Sequence, residues 1–371
     1  MICNEIRVRD FRNIGQAEVT FCPEVNVLYG NNAQGKTNLL EAIYYISIGK
    51  SFRGAKSSEI VRFGTRECEI ALDFTDSVRR QNITMRIRDG APRTATENGC
   101  RAESLSELIG SFRAVLFCPE HLMLVKEGPA LRRNYLDIAI CQLKPLYLRA
   151  LQRYNQILKQ RNALLKNAED DRKTFTDTIE YWSLALAREA SLIAKERLAY
   201  IRMLDGHART CFSDMTGGNE IPSFHYVGTA HSEEDDYADA SLIEKRFSDL
   251  LLGNHAREIA AGTTLWGTHR DDIAILLNDK PARVFASQGQ QRSLALTMKL
   301  AEGEISKKMT TEYPVFLFDD VLSELDGRRR SYLLSEIGKR QVIMTSCEAV
   351  TSENAHVIRV ENGIYTESER I

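Results

Sequence analysis

The chain has 371 residues, and 43% of them are hydrophobic, which is enough for one large domain or two with a substantial core. Its 49 Lys and Arg residues nearly balance 51 Asp and Glu, so any surface for a polyanion must be local. The apolar runs are short and the first residues lack an apolar core, so we expect no membrane span and no signal peptide. Eight cysteines without a C-x-x-C pair favour reduced thiols in the cytoplasm.

The first strong signal in chain order is a phosphate-binding loop. The pattern G-x-x-x-x-G-K-[ST] is met by Gly30, Asn31, Asn32, Ala33, Gln34, Gly35, Lys36 and Thr37. An apolar segment before it predicts a strand, and residues 38–46 predict a helix after it. Backbone N–H groups in such a loop bind phosphate, Lys36 supplies a positive charge to the outer phosphates, and the Thr37 hydroxyl ligates Mg²⁺. The loop therefore predicts a site for ATP with Mg²⁺.

The middle of the chain has a different pattern. Short strand patterns separated by turns dominate the first 115 residues, whereas residues 131–168 and 178–203 read as helices. Residues 273–277 and 283–285, around Asn278 and Asp279, predict a hairpin. We therefore predict an α/β fold in which residues 1–115 and 300–371 form a split P-loop lobe and residues 116–299 form an inserted, mainly helical lobe.

A short polar stretch, Ser287-Gln288-Gly289-Gln290-Gln291-Arg292, comes at the start of an amphipathic helix. Ser287 offers a hydroxyl at the helix N-terminus, and Gly289 permits close approach of the backbone to a phosphate. The plainer alternative is that Ser287 is a helix N-cap and the glutamines, Gln290 included, are solvated.

An acidic pair follows the apolar strand at residues 315–318. Asp319 and Asp320 fit a Walker B arrangement, in which Asp319 holds Mg²⁺ through water and Asp320 orients the attacking water. Solvated acids at a strand end are the alternative. The acidic pair and the following segment, Ser323-Glu324-Leu325-Asp326, complete the order of elements that predicts two copies of the chain closing around ATP.

Seven segments together carry a resemblance to a known family. They are Asp10-Phe11-Arg12-Asn13, the phosphate loop, Ser51-Phe52-Arg53, Phe117-Cys118-Pro119-Glu120, Gly267-Thr268-His269-Arg270-Asp271-Asp272, the stretch at 287–292, and residues 319–326. In these segments the chain resembles ABC-type ATPase heads of DNA maintenance, and most closely the RecF family. The resemblance covers essentially the whole length and places Arg12 and Arg53 near the nucleotide.

The resemblance implies a function in DNA repair. It implies an ATP-dependent homodimer that binds single- and double-stranded DNA at gaps and junctions, and cooperation with RecO and RecR in placing recombinase on single strands. It further implies roles in replication restart and the SOS response. It identifies residues 287–292 as the signature motif, whose Ser287, Gly289 and Gln290 meet the nucleotide of the other subunit.

Departures from transporter ATPases bear on the alternatives. The residue after Asp319 is an aspartate instead of a glutamate, no Q-loop glutamine is found, and Thr345-Ser346-Cys347 stands where those proteins carry a histidine. The aspartate is normal for the RecF family, whereas the missing glutamine and histidine indicate slow hydrolysis that acts as a switch. The absent histidine and the length of the helical lobe argue against a transporter subunit. An SMC- or RecN-like structural ATPase needs long coiled-coil arms, and an ATP-dependent nuclease needs an appended metal-binding domain that we do not expect here.

A local excess of positive charge lies between Asp137 and Glu169. No acidic residue occurs there, and the cations are Lys144, Arg149, Arg153, Lys159, Arg161 and Lys166. We expect Arg149, Arg153 and Lys159 to contact DNA phosphates. The alternatives are pairing with acids elsewhere, such as residues 233–236, or a DNA path along Arg328-Arg329-Arg330.

Overall fold

The computed structural model describes residues 1–230, 239–337, 340–347 and 355–367. Its strands are β1 (Ile2–Phe11), β2 (Ile14–Thr20), β3 (Val25–Tyr29), β4 (Glu67–Thr75), β5 (Arg80–Arg88), β6 (Thr94–Glu97), β7 (Cys100–Arg101), β8 (Ala114–Phe117), β9 (Pro222–Val227), β10 (Asp272–Leu277), β11 (Lys280–Pro281), β12 (Val315–Phe318), β13 (Val342–Ser346), β14 (Ala355–Glu361) and β15 (Ile364–Glu367). Its α-helices are α1 (Lys36–Ile48), α2 (Ser57–Ile60), α3 (Pro129–Cys141), α4 (Pro145–Lys166), α5 (Arg172–Thr216), α6 (Ala240–Gly253), α7 (His255–Ala261), α8 (Ala282–Phe285), α9 (Gln288–Thr310) and α10 (Gly327–Ile337).

The chain folds as two compact units. The first consists of Met1–Met123, Cys211–Asn219 and Ser287–Ile371, and the second of Leu124–Thr210 and Glu220–Ala286. This division differs from the boundaries drawn from the sequence at 115/116 and 299/300. The signature segment belongs to the first unit because α9 packs against β8 of that unit. A helical pattern alone does not show which sheet a helix covers.

Two six-stranded sheets form the first unit. One has the order β15-β14-β3-β13-β12-β8 and is parallel apart from β15, and the other is antiparallel with the order β2-β1-β4-β5-β6-β7. All four residues of β12 and of its neighbour β8, the last strand of this sheet, are buried, as expected for parallel strands covered on both faces. Strand β5 instead alternates buried and exposed residues over most of its length, because one of its faces meets solvent. The parallel sheet brings the ends of β3, β12 and β13 to the same edge.

The second unit is mainly helical, with one small antiparallel sheet of order β11-β10-β9. Helix α5 continues into the first unit and ends at Thr216; Gly217 and Gly218 follow it with φ angles of 88° and 81°, which few other residues adopt. Asn278 and Asp279 form the predicted turn, with φ angles of 50° and 60°. The predicted second strand at 283–285 is wrong: β11 covers only Lys280–Pro281, and α8 begins at the next residue. Pro281 lacks an N–H to continue the ladder.

Three of the six cations in the predicted basic segment are engaged within the second unit. Arg161 and Glu258 are both fully buried and form an ion pair of 2.5 Å. Arg153 pairs with Glu189 at 3.0 Å, and Lys144 pairs with Glu196. The acids lie on α5 and α7, outside the segment that lacks them. Residues 233–236, the partners suggested by the sequence, lie outside the described residues.

All eight cysteines are free thiols. In the described ranges, no helix is both long enough and apolar enough to cross a membrane.

Candidate nucleotide-binding site

The phosphate loop joins the end of β3 to the first turn of α1. Gly35, at the N-cap position, has a φ of 114°, and Ala33 has a φ of 63°. A Cβ on Gly30 would lie 2.3 Å from the carbonyl oxygen of Val360 in β14, so only glycine fits there. The first turn of α1 holds no acidic residue. Its N–H groups and dipole therefore favour an anion in the loop.

The Lys36 side chain folds back onto the start of the phosphate loop. Its Nζ donates to the carbonyl oxygens of Gly30 at 2.6 Å and Asn31 at 2.8 Å, and lies 3.5 Å from the sulfur of Cys347. The side chain is buried, yet these contacts are to neutral groups. Since no carboxylate neutralises it in these bonds, the ammonium group keeps its attraction for a phosphate.

The two Walker B residues differ in their environments. Asp319 is mostly buried, and its Oδ1 accepts hydrogen bonds from the hydroxyls of Thr37 at 2.7 Å and Thr345 at 3.1 Å. Burial raises the pKa of the Asp319 carboxyl, and the two hydroxyls oppose that rise. Asp320 is exposed and has a left-handed backbone with a φ of 52°. Thus one carboxylate is held beside Thr37 and the other is free to face solvent.

A cavity of about 400 Å³ joins these elements within the first unit. The predicted residues that line it are Asn32, Ala33, Gln34, Gly35, Lys36, Thr37, Arg53 and Asp320. Four further lining residues are Asn13, Asn38, Thr345 and Cys347. Gly30 and Asn31 border a second cavity on the β14 side of the loop, shared with Gln34. The fold therefore gathers the loop, Asp320 and Arg53 around one space.

The two predicted arginines are held by one buried acid. Arg12 makes two hydrogen bonds to Glu41, at 2.8 and 3.1 Å, and lies outside the lining of the 400 Å³ cavity. Arg53 lies 3.7 Å from the same carboxylate, donates to Asn38 at 3.0 Å, and faces the cavity. Arg53 is therefore placed to contact a nucleotide in this cavity, and Arg12 is placed to orient Glu41.

The signature residues lie apart from this cavity, at the start of α9. Ser287 and Gln290 form a capping box: Ser287 Oγ accepts from the Gln290 N–H, and Gln290 Oε1 accepts from the Ser287 N–H. Both residues are on the surface and neither lines the phosphate cavity. Within one chain Ser287 is thus an N-cap, as the plainer alternative stated. Its hydroxyl hydrogen is not used in the box.

Two arginines connect this helix start to the segment after Walker B. Arg292 donates to the carbonyl and the carboxylate of Glu324, and Arg329 donates to Ser293 Oγ at 2.6 Å while pairing with Asp326. A Cβ on Gly289 would lie 3.1 Å from an Arg329 nitrogen. Arg329 of the same chain therefore already occupies part of the space that a side chain at position 289 would need.

The geometry fits a nucleotide with a magnesium ion. The donors around the loop suit phosphate oxygens, and Thr37 and Asp319 offer a hydroxyl and a carboxylate on one side of it. Mg²⁺ binds few protein ligands because it retains water molecules. Among the residues that the structure describes, no cluster of three His, Cys, Asp or Glu side chains could hold a metal, so a fully protein-ligated site is not offered there.

Sequence reasoning missed Glu41, Asn13, Asn38 and the role of Thr345. Glu41 is a fully buried charge in the middle of an apolar helix, and Thr345 is a hydroxyl near the end of an apolar strand. Each of these two residues interrupts an apolar pattern beside a recognised motif, and a polar residue in such a place indicates a buried hydrogen-bonding role. Asn13 lies in a segment that carries the family resemblance, but the sequence places neither it nor Asn38 at the site, because their contact joins residues that only the fold brings together.

Comparison with known proteins gives the family. The RecF/RecN/SMC N terminal domain family matches residues 2–370. A protein named DNA replication and repair protein RecF from Ruminiclostridium cellulolyticum is 39% identical over 93% of this chain and 92% of its own length. The protein of the same name from Clostridium novyi is 36% identical over 98% and 99%. This chain belongs to the RecF family. The members that it matches are DNA replication and repair proteins.

Solved structures agree with the family. A structure described as the recombination mediator protein RecF-ATPrS in the RecFOR pathway matches with a TM-score of 0.93 and 34% identity, covering 98% of this chain and 97% of that one. The RecF-ATP structure of the same pathway matches equally well. The Smc head domain of Pyrococcus furiosus, at 16% identity and a TM-score of 0.55, shows the fold alone. The predicted α/β ABC-type ATPase head, shared by RecF and SMC proteins, is confirmed.

Proposed function

We propose that this chain is an ATP-dependent DNA-binding protein of recombinational repair, which binds and slowly hydrolyses ATP as a conformational switch. The observation that carries the proposal is that Lys36, Thr37 and Asp320 border one cavity while Asp319 bonds to Thr37. Full-length similarity to RecF proteins, one of them described with ATP, supports it.

Each site residue has a role in this proposal. The loop from Gly30 to Thr37 holds the phosphates, with Lys36 turning from the loop carbonyls to the outer phosphates. Thr37 and Asp319 hold Mg²⁺, which neutralises phosphate charge when it is bound. Asp320 orients the attacking water, and Arg53 faces the nucleotide.

ATP closes two copies of the chain in this proposal. Ser287, Gly289 and Gln290 of one copy meet the nucleotide held by the other copy. Their surface position at a helix N-terminus suits an anion brought by a second chain. Residues 1–115 and 300–371 form the ATPase lobe, extended by the signature helix and by residues 116–123 and 211–219, and the rest of the middle region forms the helical lobe.

The closed dimer binds single- and double-stranded DNA at gaps and junctions. It acts with RecO and RecR to place recombinase on single strands, in replication restart and the SOS response, in the cytoplasm. The support for these details is the family alone, and the matched structures are those of RecF in the RecFOR pathway.

The first test separates ATP binding from hydrolysis. Lys36→Ala removes the charge that holds the phosphates, and we expect ATP affinity to fall by about 100-fold or more, the size of losing charge-assisted bonds. Asp320→Asn keeps the shape of the site and should retain affinity while turnover falls by about 100-fold. Fluorescent-nucleotide titration and phosphate release measure the two quantities. Exposed Lys126 gives a control, Lys126→Ala, and wild-type turnover in Asp320→Asn would remove that residue from catalysis.

The second test concerns the dimer. Ser287→Arg places a long side chain where the partner's phosphates would approach, so ATP affinity should stay within about threefold while ATP-induced dimerisation is lost. Sedimentation with and without ATP measures it. Ser241→Arg, at the exposed start of α6, is the matched control. A normal ATP-dependent dimer of Ser287→Arg would show that the signature does not act across subunits.

A further inference from the structure

One hydroxyl lies between the two Walker B residues. Thr345 is 2% exposed, and its Oγ1 lies 3.1 Å from Asp319 Oδ1 and 2.8 Å from the backbone nitrogen of Asp320. A hydroxyl has one hydrogen to donate and lone pairs with which to accept. Because a backbone N–H only donates, Thr345 accepts from Asp320, and its own hydrogen goes to Asp319. A single side chain thus contacts both residues in complementary ways.

The bond to Asp320 supports an unusual backbone conformation. A φ of 52° lies in the left-handed region, which residues with a Cβ adopt less readily than glycine does, although aspartate is one of the more tolerant of them. The Asp320 N–H is held by Thr345, and its carbonyl oxygen accepts from Ser323 Oγ at 2.8 Å. These two bonds fix the backbone on both sides of the Asp320 Cα. They therefore set the direction of its Cα–Cβ bond, from which the carboxylate enters the cavity.

The bond to Asp319 fixes a second carboxylate. Its Oδ1 accepts from Thr37 on one side and from Thr345 on the other, at 2.7 and 3.1 Å. Thr37 belongs to the phosphate loop, so its contact depends on what the loop holds. Thr345 belongs to the central strand β13 and does not depend on the ligand. Of the two hydroxyls that donate to Asp319, that of Thr345 is therefore the one whose position does not change with the ligand.

We propose that Thr345 is a positioning residue that aligns Asp319 and Asp320 for ATP hydrolysis, without itself contacting the reacting atoms. The inference rests on the proposed ATPase function. It assigns a role within the stretch at 345–347, where transporter ATPases carry a histidine. The neighbours of Thr345 contact the phosphate loop, since Ser346 O accepts from the Gly30 N–H at 3.3 Å and Cys347 contacts Asn32. The end of β13 thereby contacts both the phosphate loop and the two Walker B residues.

The test compares side chains that differ by the hydroxyl. Thr345→Val keeps the shape and loses the hydroxyl, so kcat should fall by about 10- to 100-fold, the effect of losing a hydrogen bond to a charged group. ATP affinity and KM should stay within about threefold, because the phosphate contacts remain. Thr345→Ser restores the hydroxyl and should keep kcat within about threefold of the wild type. Thr345→Ala and Thr345→Ser form a second pair that serves if the valine variant does not fold.

The control is a buried threonine whose hydroxyl contacts neither Walker B residue. Thr297, on α9, is fully buried, and its Oγ1 makes no hydrogen bond with the described residues. Thr297→Val should keep turnover and affinity. The inference is supported if kcat falls in Thr345→Val but not in Thr345→Ser or Thr297→Val.

Other outcomes overturn it in distinguishable ways. If wild-type protein turns over no ATP, the proposed function and the inference both fail. If the wild type is active and Thr345→Val matches it, only the inference fails. Equal losses in Thr345→Ser and Thr345→Val, or a loss of affinity as large as the loss of kcat, would reduce Thr345 to a packing role.

Discussion

The phosphate loop and the helical unit use positive charge in opposite ways. At the loop, Lys36 is held by carbonyl oxygens and a thiol, so its charge remains available to a ligand. In the helical unit, Arg161 meets the carboxylate of Glu258, and both are fully buried. Arg197 similarly pairs with Asp137 at 2.8 Å. Of these three cations, Lys36 alone meets no carboxylate in the contacts described, and it is the one that belongs to a ligand site.

The strongest test of this contrast is to remove one buried partner. Arg161→Met leaves the Glu258 carboxylate unpaired, and Ser183 and Thr264 also lose a donor. We expect the free energy of unfolding to fall by about 3–5 kcal/mol, as found when one member of a buried pair is removed. Arg153→Gln, which breaks the more exposed pair with Glu189, should cost less than about 1 kcal/mol. Urea unfolding measures both losses of unfolding free energy. Losses of similar size would contradict the claim that the buried pair contributes more than the exposed one.

A second test uses pH. Burial lowers the pKa of His269 to about 4, and its Nδ1 lies 2.6 Å from the Tyr154 hydroxyl oxygen. In the unfolded chain a histidine binds a proton near pH 6.5, so between pH 6.5 and 4 the unfolded state holds more protons. Stability therefore falls as pH drops through that window, by about 1–2 kcal/mol between pH 7 and 5 for this residue.

Removing the ring should flatten that dependence. We expect urea midpoints of His269→Gln to change less between pH 7 and 5 than those of the wild type. Exposed His225 supplies the control, His225→Gln, which should keep the wild-type slope. If His269→Gln retains the full loss of stability on acidification, another group carries it.

The smallest expected effect concerns DNA. Arg149 and Lys159 are exposed on α4 and form no ion pair with the described acids, whereas Arg153 pairs with Glu189. Replacing Arg149 and Lys159 by Gln should lower the salt slope of duplex binding by up to about 1.8, because each phosphate contact contributes about 0.9. Arg153→Gln should change the slope less. ATP-driven dimerisation should be unaffected, and an unchanged slope in the double variant would place the DNA elsewhere.

Local patterns carried most of what the sequence could predict. The phosphate loop with its strand and helix, the acids after β12 and the turn at Asn278 and Asp279 all depend on neighbouring residues. The unit to which α9 belongs and the acids that neutralise Arg153 and Arg161 depend on packing between distant segments. The role of Thr345 is an intermediate case, because the sequence marks the stretch at 345–347 but the partners of Thr345 follow a different strand, β12.

The position of β3 within its sheet has a consequence for folding kinetics. This strand lies between β13 and β14, so both of its neighbours come from the other end of the chain. Tyr365 donates to the Gly35 carbonyl at 3.0 Å, and the Gly363 N–H donates to Gln34 O at 2.9 Å. During synthesis the loop residues therefore leave the ribosome long before the strands that support them. Pairings so distant in sequence form slowly, and β3 stays an unpaired apolar edge, open to aggregation, until they do.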